Sequence, residues 1–175
     1  MNHIELLNGI EKVRLLETNL SFQRGIWRDN TCNLVGVDPG KNFGITFVDC
    51  SSVSVYWGKL PPRKELGQSG KDARRLMFAL MVRNIGNIHD ITAIVEGAAY
   101  HSVYGQVGLE EVRFGFYLAL AENTPDVYIR PPATVRKLAT GSGKSQAGDE
   151  YVKLNHNAAD SIYCAMAAKQ LRRDN

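Results

Sequence analysis

A chain of 175 residues, 44% hydrophobic and 22% charged, is long enough for one domain with a substantial core. Its net charge of +3 permits a nucleic-acid partner without demanding one, so the distribution of the cations matters more than their sum. No apolar run approaches the ~18 residues of a membrane span, and no signal peptide is legible. The three cysteines, Cys32, Cys50 and Cys164, are scattered without a C-x-x-C pair, which argues against a zinc site and a disulfide framework. Reduced thiols in an intracellular protein are the simplest account. Asn19-Leu20-Ser21 fits a glycosylation sequon, but nothing else suggests secretion.

Residues 4 to 20 carry Ile4, Leu7, Ile10, Val13 and Leu16 near helical spacing, which predicts an amphipathic helix. Residues 1–30 then read as a helical leader before a domain over 31–175. Such a stripe faces its own core, a dimer partner or DNA. Leu34 to Val37 is an apolar run ending in Asp38, broken by Pro39-Gly40, and a second run climbs from Gly44 to Val48. This predicts a β-hairpin with a short loop. Val53 to Gly58 alternates as a third strand, ended by Pro61 and Pro62.

Lys59, Arg63, Lys64, Lys71, Arg74 and Arg75 then face only Glu65 and Asp72, either as a solvated helix face or as a surface for phosphates. Ala73, Leu76, Met77, Leu80 and Ile85 form the buried stripe of a helix over about 71–86, with Met77 and Phe78 both in the core. A strand follows at 91–96, ending in Glu96-Gly97. Next come a glycine-bounded loop with Tyr100, His101 and Tyr104, a helix over 107–122 and a short strand at 127–129. A short helix over 133–139 precedes the loop Gly141-Ser142-Gly143-Lys144-Ser145. The last helix spans about 157–171, with Ile162, Cys164, Ala165 and Ala168 inward. The order βββαβαβαα predicts a mixed sheet with helices on both faces.

Three acids stand out. Asp38 and Glu96 end apolar strands, and Asp160 opens an apolar helix in Asn157-Ala158-Ala159-Asp160-Ser161. Carboxylates are rarely buried without a partner or a metal. Each also has an ordinary reading: a turn-forming Asp before Pro-Gly, a strand-end Glu paired with a lysine, and a first-turn acid favoured by the helix dipole. The loop at 141–145 mimics the end of a phosphate-binding P-loop. The earlier glycine that pattern requires is Leu138 here, so ATP binding is not expected.

Gly36-Val37-Asp38-Pro39-Gly40 with Gly44, then Val95-Glu96-Gly97, then Asn157-Ala158-Ala159-Asp160-Ser161, together resemble RuvC-type Holliday junction resolvases of the RNase H-like superfamily over about residues 33–170. The resemblance implies an α/β RNase H-like fold, a mixed five-stranded sheet flanked by helices. The first and fourth of these strands lie side by side and parallel, so Asp38 and Glu96 meet at their carboxyl ends, where open α/β sheets place their sites.

Two Mg²⁺ ions about 3.5–4 Å apart activate a water and stabilise the leaving oxyanion in phosphodiester hydrolysis. Mg²⁺ prefers carboxylate oxygens, and Mn²⁺ is expected to substitute. By the resemblance Asp38 bridges the two ions, Glu96 holds one and Asp160 the other. Family members carry a fourth ligand, an acid or histidine, three residues before the last Asp. Here that residue is Asn157, with His156 and Asp149 as possible substitutes. The resemblance further implies that Arg136 or Lys137, with Lys144, contacts backbone phosphate, and that Tyr100, with Tyr104 as fallback, stacks on a base; the ordinary reading of Tyr100 is a core tyrosine.

The expected activity is Mg²⁺-dependent, structure-selective cleavage of branched DNA, a four-way junction, by a homodimer whose two-fold symmetry matches the substrate. A bacterial or phage-infected cytoplasm is the expected setting, with a phage or organellar source. Two rivals remain: another RNase H-like nuclease acting on flaps or RNA–DNA hybrids, and a junction-binding protein with degraded catalysis, which Asn157 motivates.

Overall fold

Leu34, Val35 and Val37 are all buried, so β2 (Asn33–Asp38) is covered on both faces and sits inside the sheet. The computed structural model describes residues 11–16, 33–49, 52–85, 90–98, 107–142 and 155–173. Among these residues six strands pair in the order β1-β4-β3-β2-β5-β6. The others are β1 (Glu11–Leu16), β3 (Asn42–Val48), β4 (Ser52–Lys59), β5 (Ile91–Glu96) and β6 (Val127–Arg130). β1, β4, β3 and β2 pair antiparallel, whereas β5 lies parallel to both β2 and β6. The helices are α1 (Gln68–Asn84), α2 (Val107–Ala121), α3 (Pro132–Thr140) and α4 (His156–Arg173).

Alternation along the strands divides the core into two layers. Val35, Val37, Phe43, Ile45, Ala93 and Val95 pack under α1 and α2 with Leu76, Met77, Val112 and Phe116. Leu34, Val48, Val55 and Ile94 face the other way, against α4 residues Ala158, Ile162, Tyr163 and Ala165 and against Val135 of α3. The expected five-stranded mixed sheet is β2 to β6, and β1 adds a sixth strand beside β4.

The helix expected over 4–20 is corrected at its centre: residues 11–16 form β1, with Val13 opposite Val55 and Leu15 opposite Val53. Lys12-Val13-Arg14-Leu15 also alternates with period two, and β4 would otherwise offer an unpaired edge. The remainder of 1–30 lies outside the described residues, as do Cys32 and Cys50.

Phe78 is the second correction. Ala73, Leu76, Met77, Leu80 and Ile85 are buried as expected, but Phe78 is 46% exposed. The inward stripe continues through Met81, and Phe78 falls outside it at one residue's rotation from Met77. The basic stretch is partly internal. Asp72 is fully buried and accepts from Arg63 Nε at 2.6 Å and Gln68 Nε2 at 3.3 Å. Arg74 pairs with Glu122. Lys71 and Arg75 stay exposed.

Two glycines set how close α4 lies to the sheet. A Cβ on Gly36 would stand 2.0 Å from the Ser161 carbonyl oxygen, and one on Gly44 would stand 1.9 Å from that of Asn157. Only bare backbone in β2 and β3 admits the helix at that depth. Thr46 and Ser161 share a buried hydroxyl bond of 2.8 Å across the same contact.

Candidate active site

β2 and β5 run parallel in register from Asn33↔Ile91 to Val37↔Val95, so the next residues are Asp38 and Glu96. Even-numbered positions of both strands face α4, as Leu34 and Ile94 do. Asp38 and Glu96 therefore point from the carboxyl ends of neighbouring parallel strands toward the helix that carries Asp160. Asn155 starts α4 as an N-cap, its side-chain oxygen accepting from the Asn157 N–H at 3.0 Å. Asp160 follows one turn in and is buried.

The three carboxyls feel one another. Asp38 is pushed from an ordinary 3.8 to about 8, first by burial and then by the charges of Glu96 and Asp160, with Arg113 opposing. Glu96 is pushed from 4.5 to about 7 by burial and then by Asp160, with Arg136 and Arg113 opposing. Asp160 is also raised, by burial above all, against the pull of His156 and Arg136. The thiol of the buried Cys164 is driven well above its usual range by burial and then by all three acids. Like charges placed together away from water are the condition a hard cation relieves.

Among the described residues no three His, Cys, Asp or Glu side chains close on a single point as a metal cage. The donor set nonetheless suits a hard divalent cation: three carboxylates, two at strand ends and one on the facing helix. His156 Nε2 lies 3.0 Å from Asp160 Oδ2, one helical turn apart. Asn157 is half-buried, its backbone carbonyl against Gly44. The histidine side chain thus reaches the acid site, whereas the position that carries a ligand by resemblance holds an amide. Asp149 lies outside the described residues.

Arg136 on α3 sits near enough to lower both Glu96 and Asp160, and its Nε is sealed from solvent without a hydrogen-bond partner among the described residues. Lys137, the next residue, is exposed. Tyr100, Tyr104 and Lys144 lie outside the described residues. Sequence reading missed Arg113. It is only 5% exposed, donates from Nε to the Glu96 carbonyl at 2.9 Å and pairs with Glu110. The signal was available: from Val112 to Ala121 the helix is uncharged except for Arg113. A cleft of about 410 Å³ lies elsewhere, lined by Lys71, Arg74, Arg75, Phe78, Ala119 and Glu122, and holds none of Asp38, Glu96 and Asp160.

The sheet order, the parallel pairing of β2 with β5 and the helices on both faces define an RNase H-like α/β fold of the RuvC kind. Neither a protein-family model nor a curated protein matches the chain. Among solved structures it is similar to RuvC of Thermus thermophilus, with 15% identity, a TM-score of 0.57 and coverage of 81% of this chain and 96% of that one. It is also similar to T. thermophilus RuvC in complex with a Holliday junction substrate, with 12% identity, a TM-score of 0.57 and coverage of 82% and 96%. Identities this low carry the fold alone.

Proposed function

We propose that this chain is a divalent-metal-dependent endonuclease that cuts branched DNA, with a four-way junction as substrate and a homodimer as the working form. The observation that carries the reading is the convergence of Asp38, Glu96 and Asp160 at one end of the sheet, each raised by burial. Solved RuvC with a junction substrate shares the fold and lends the substrate class.

Asp38, Glu96 and Asp160 would hold Mg²⁺ or Mn²⁺, which when bound supplies a nucleophilic water and stabilises the leaving oxygen. By the resemblance, Asp38 would be the acid that both ions share. His156 fixes the orientation of Asp160 and is the candidate for a fourth donor beside Asn157. Arg136, turned toward Glu96 and Asp160, binds a phosphate oxygen of the strand being cut, a bond its guanidinium fork suits. Lys137 and Lys144 hold flanking phosphates, and Tyr100 stacks on a base at the junction centre.

Asn157 favours a second reading, a junction-binding protein with degraded catalysis. Cleavage with Mg²⁺ on a four-way junction, a flap, an RNA–DNA hybrid and plain duplex separates the readings. Junction cut fastest supports the proposal. Preference for flap or hybrid assigns a different nuclease of the same fold, and tight junction binding without cutting assigns the degraded form.

A further inference from the structure

We propose that Arg113 is a positioning residue for the acid site: from the far side of the sheet it holds the last peptide of β5 and so fixes where Glu96 presents its carboxylate. The proposal rests on the reading of the three acids as a metal site.

Arg113 belongs to α2, which packs on the face of the sheet opposite α4. Its Nε donates to the carbonyl of Glu96, the terminal residue of β5. β5 has already left its ladder with β2 at Val37↔Val95, and on the other side Glu96 pairs with Arg130 of β6. A strand end that pivots by one peptide turns its last side chain, and Glu96 is that side chain. The second tether is Glu110, one turn earlier on α2, which pairs with the guanidinium at Nη1. Nε and Nη1 are thus committed in different directions, so the fork cannot rotate freely.

A packing role alone does not account for an arginine here. Burying a guanidinium costs several kcal/mol that an apolar side chain avoids, and buried ion pairs are often replaced by apolar residues without loss of stability. The neighbouring inward positions, Val112, Phe116, Ala119 and Leu120, are all apolar. What an apolar side chain cannot do is cap the Glu96 carbonyl while placing a positive charge behind the acids.

The test uses Arg113→Lys and Glu110→Gln in the full chain. Two readouts are taken: the Mg²⁺-induced rise in melting temperature, which needs no catalysis, and the Mg²⁺ concentration for half-maximal junction cleavage. Lysine keeps the charge and loses the fork. The half-saturating Mg²⁺ should rise about 10-fold in both readouts, the size of effect that loss of a supporting group has on a metal site, with cleavage recovering at high Mg²⁺. Glu110→Gln releases one tether at a side chain 44% exposed, and should move the same quantity in the same direction by about 2-fold. If Arg113→Lys does not fold, Glu110→Gln decides alone. Unchanged half-saturation in every variant that folds, whatever its melting temperature, reduces Arg113 to a helix–sheet fastener and overturns the proposal. Absence of any Mg²⁺-induced rise in the wild type overturns the metal reading and the proposal with it.

Discussion

Asp38 and Glu96 stand in step, each one residue beyond the last parallel pair Val37↔Val95, with side chains on the same face of the sheet. Their proximity follows from strand register, so it does not depend on any loop. The third acid, Asp160, arrives on a rigid helix pressed onto Gly36 and Gly44. A site built on two strands and a helix is held more tightly than one built on loops.

The metal-free protein should lose stability as pH rises. Asp38 and Glu96 have folded-state values of about 8 and about 7, against ordinary values of 3.8 and 4.5. Between the two values the folded chain holds protons that the unfolded chain has released, so stability falls with pH. The loss should run from about pH 4 to about pH 8, each unit of difference being worth about 1.4 kcal/mol at most. Melting in EDTA at pH 5 and pH 8 checks the slope. Mg²⁺ should raise the melting temperature at pH 8 and hardly at pH 5, and Asp38→Asn should flatten the EDTA curve. A curve that climbs to pH 8 in EDTA would contradict the charge arrangement.

His156 and Asn157 should separate in a metal titration. His156 Nε2 is 3.0 Å from Asp160, so His156→Ala should raise the half-saturating Mg²⁺ by about 10-fold or more. Asn157→Asp adds a charge at the first turn of α4 and should lower it. Equal behaviour of His156→Ala and wild type would take the histidine out of the site.

Gly44→Ala should cost activity beyond its cost in stability. The added methyl meets the Asn157 backbone at 1.9 Å, so the start of α4, and Asp160 with it, must shift. Overpacking of this kind costs about 1–3 kcal/mol. Gly36→Ala meets backbone at both Ser161 and Ala165 and should be the more destabilising of the two. Melting temperature and specific activity, measured together, read the difference; a stable Gly44→Ala with normal cutting would show that α4 sits less tightly.

Arg136→Gln should weaken junction binding and reduce the slope of log affinity against log salt by about 1, as expected when one phosphate is no longer neutralised by the protein. An unchanged slope with a steeper fall of metal-free stability with pH would make Arg136 a counter-ion to the acids instead.

The five strands β2 to β6 and the helices α1 to α4 were legible because each carries an apolar period ending at Pro, Gly or a polar residue. Asp38, Glu96 and Asp160 were legible because an acid closing or opening such a run conflicts with burial. β1 was not, since 4–16 has helical spacing and only Lys12 to Leu15 alternate, so the open edge of β4 decides for a strand over 11–16. Phe78 misled because a helix stripe is blurred by one residue at its border. Arg113 is the lone charge from Val112 to Ala121, which marks it as a residue needing a partner, but its partner lies 17 residues away at a strand end serving the other face.

Junction cleavage under single-turnover conditions by Asp38→Asn and Glu96→Gln, beside junction binding by the same proteins, tests the central claim most directly. Removing a direct ligand should cost more than the about 10–100-fold that removing a supporting group costs, while affinity for the four-way junction stays close to that of the wild type. Cleavage by either variant near the wild-type rate would contradict the assignment of the acids as the catalytic site.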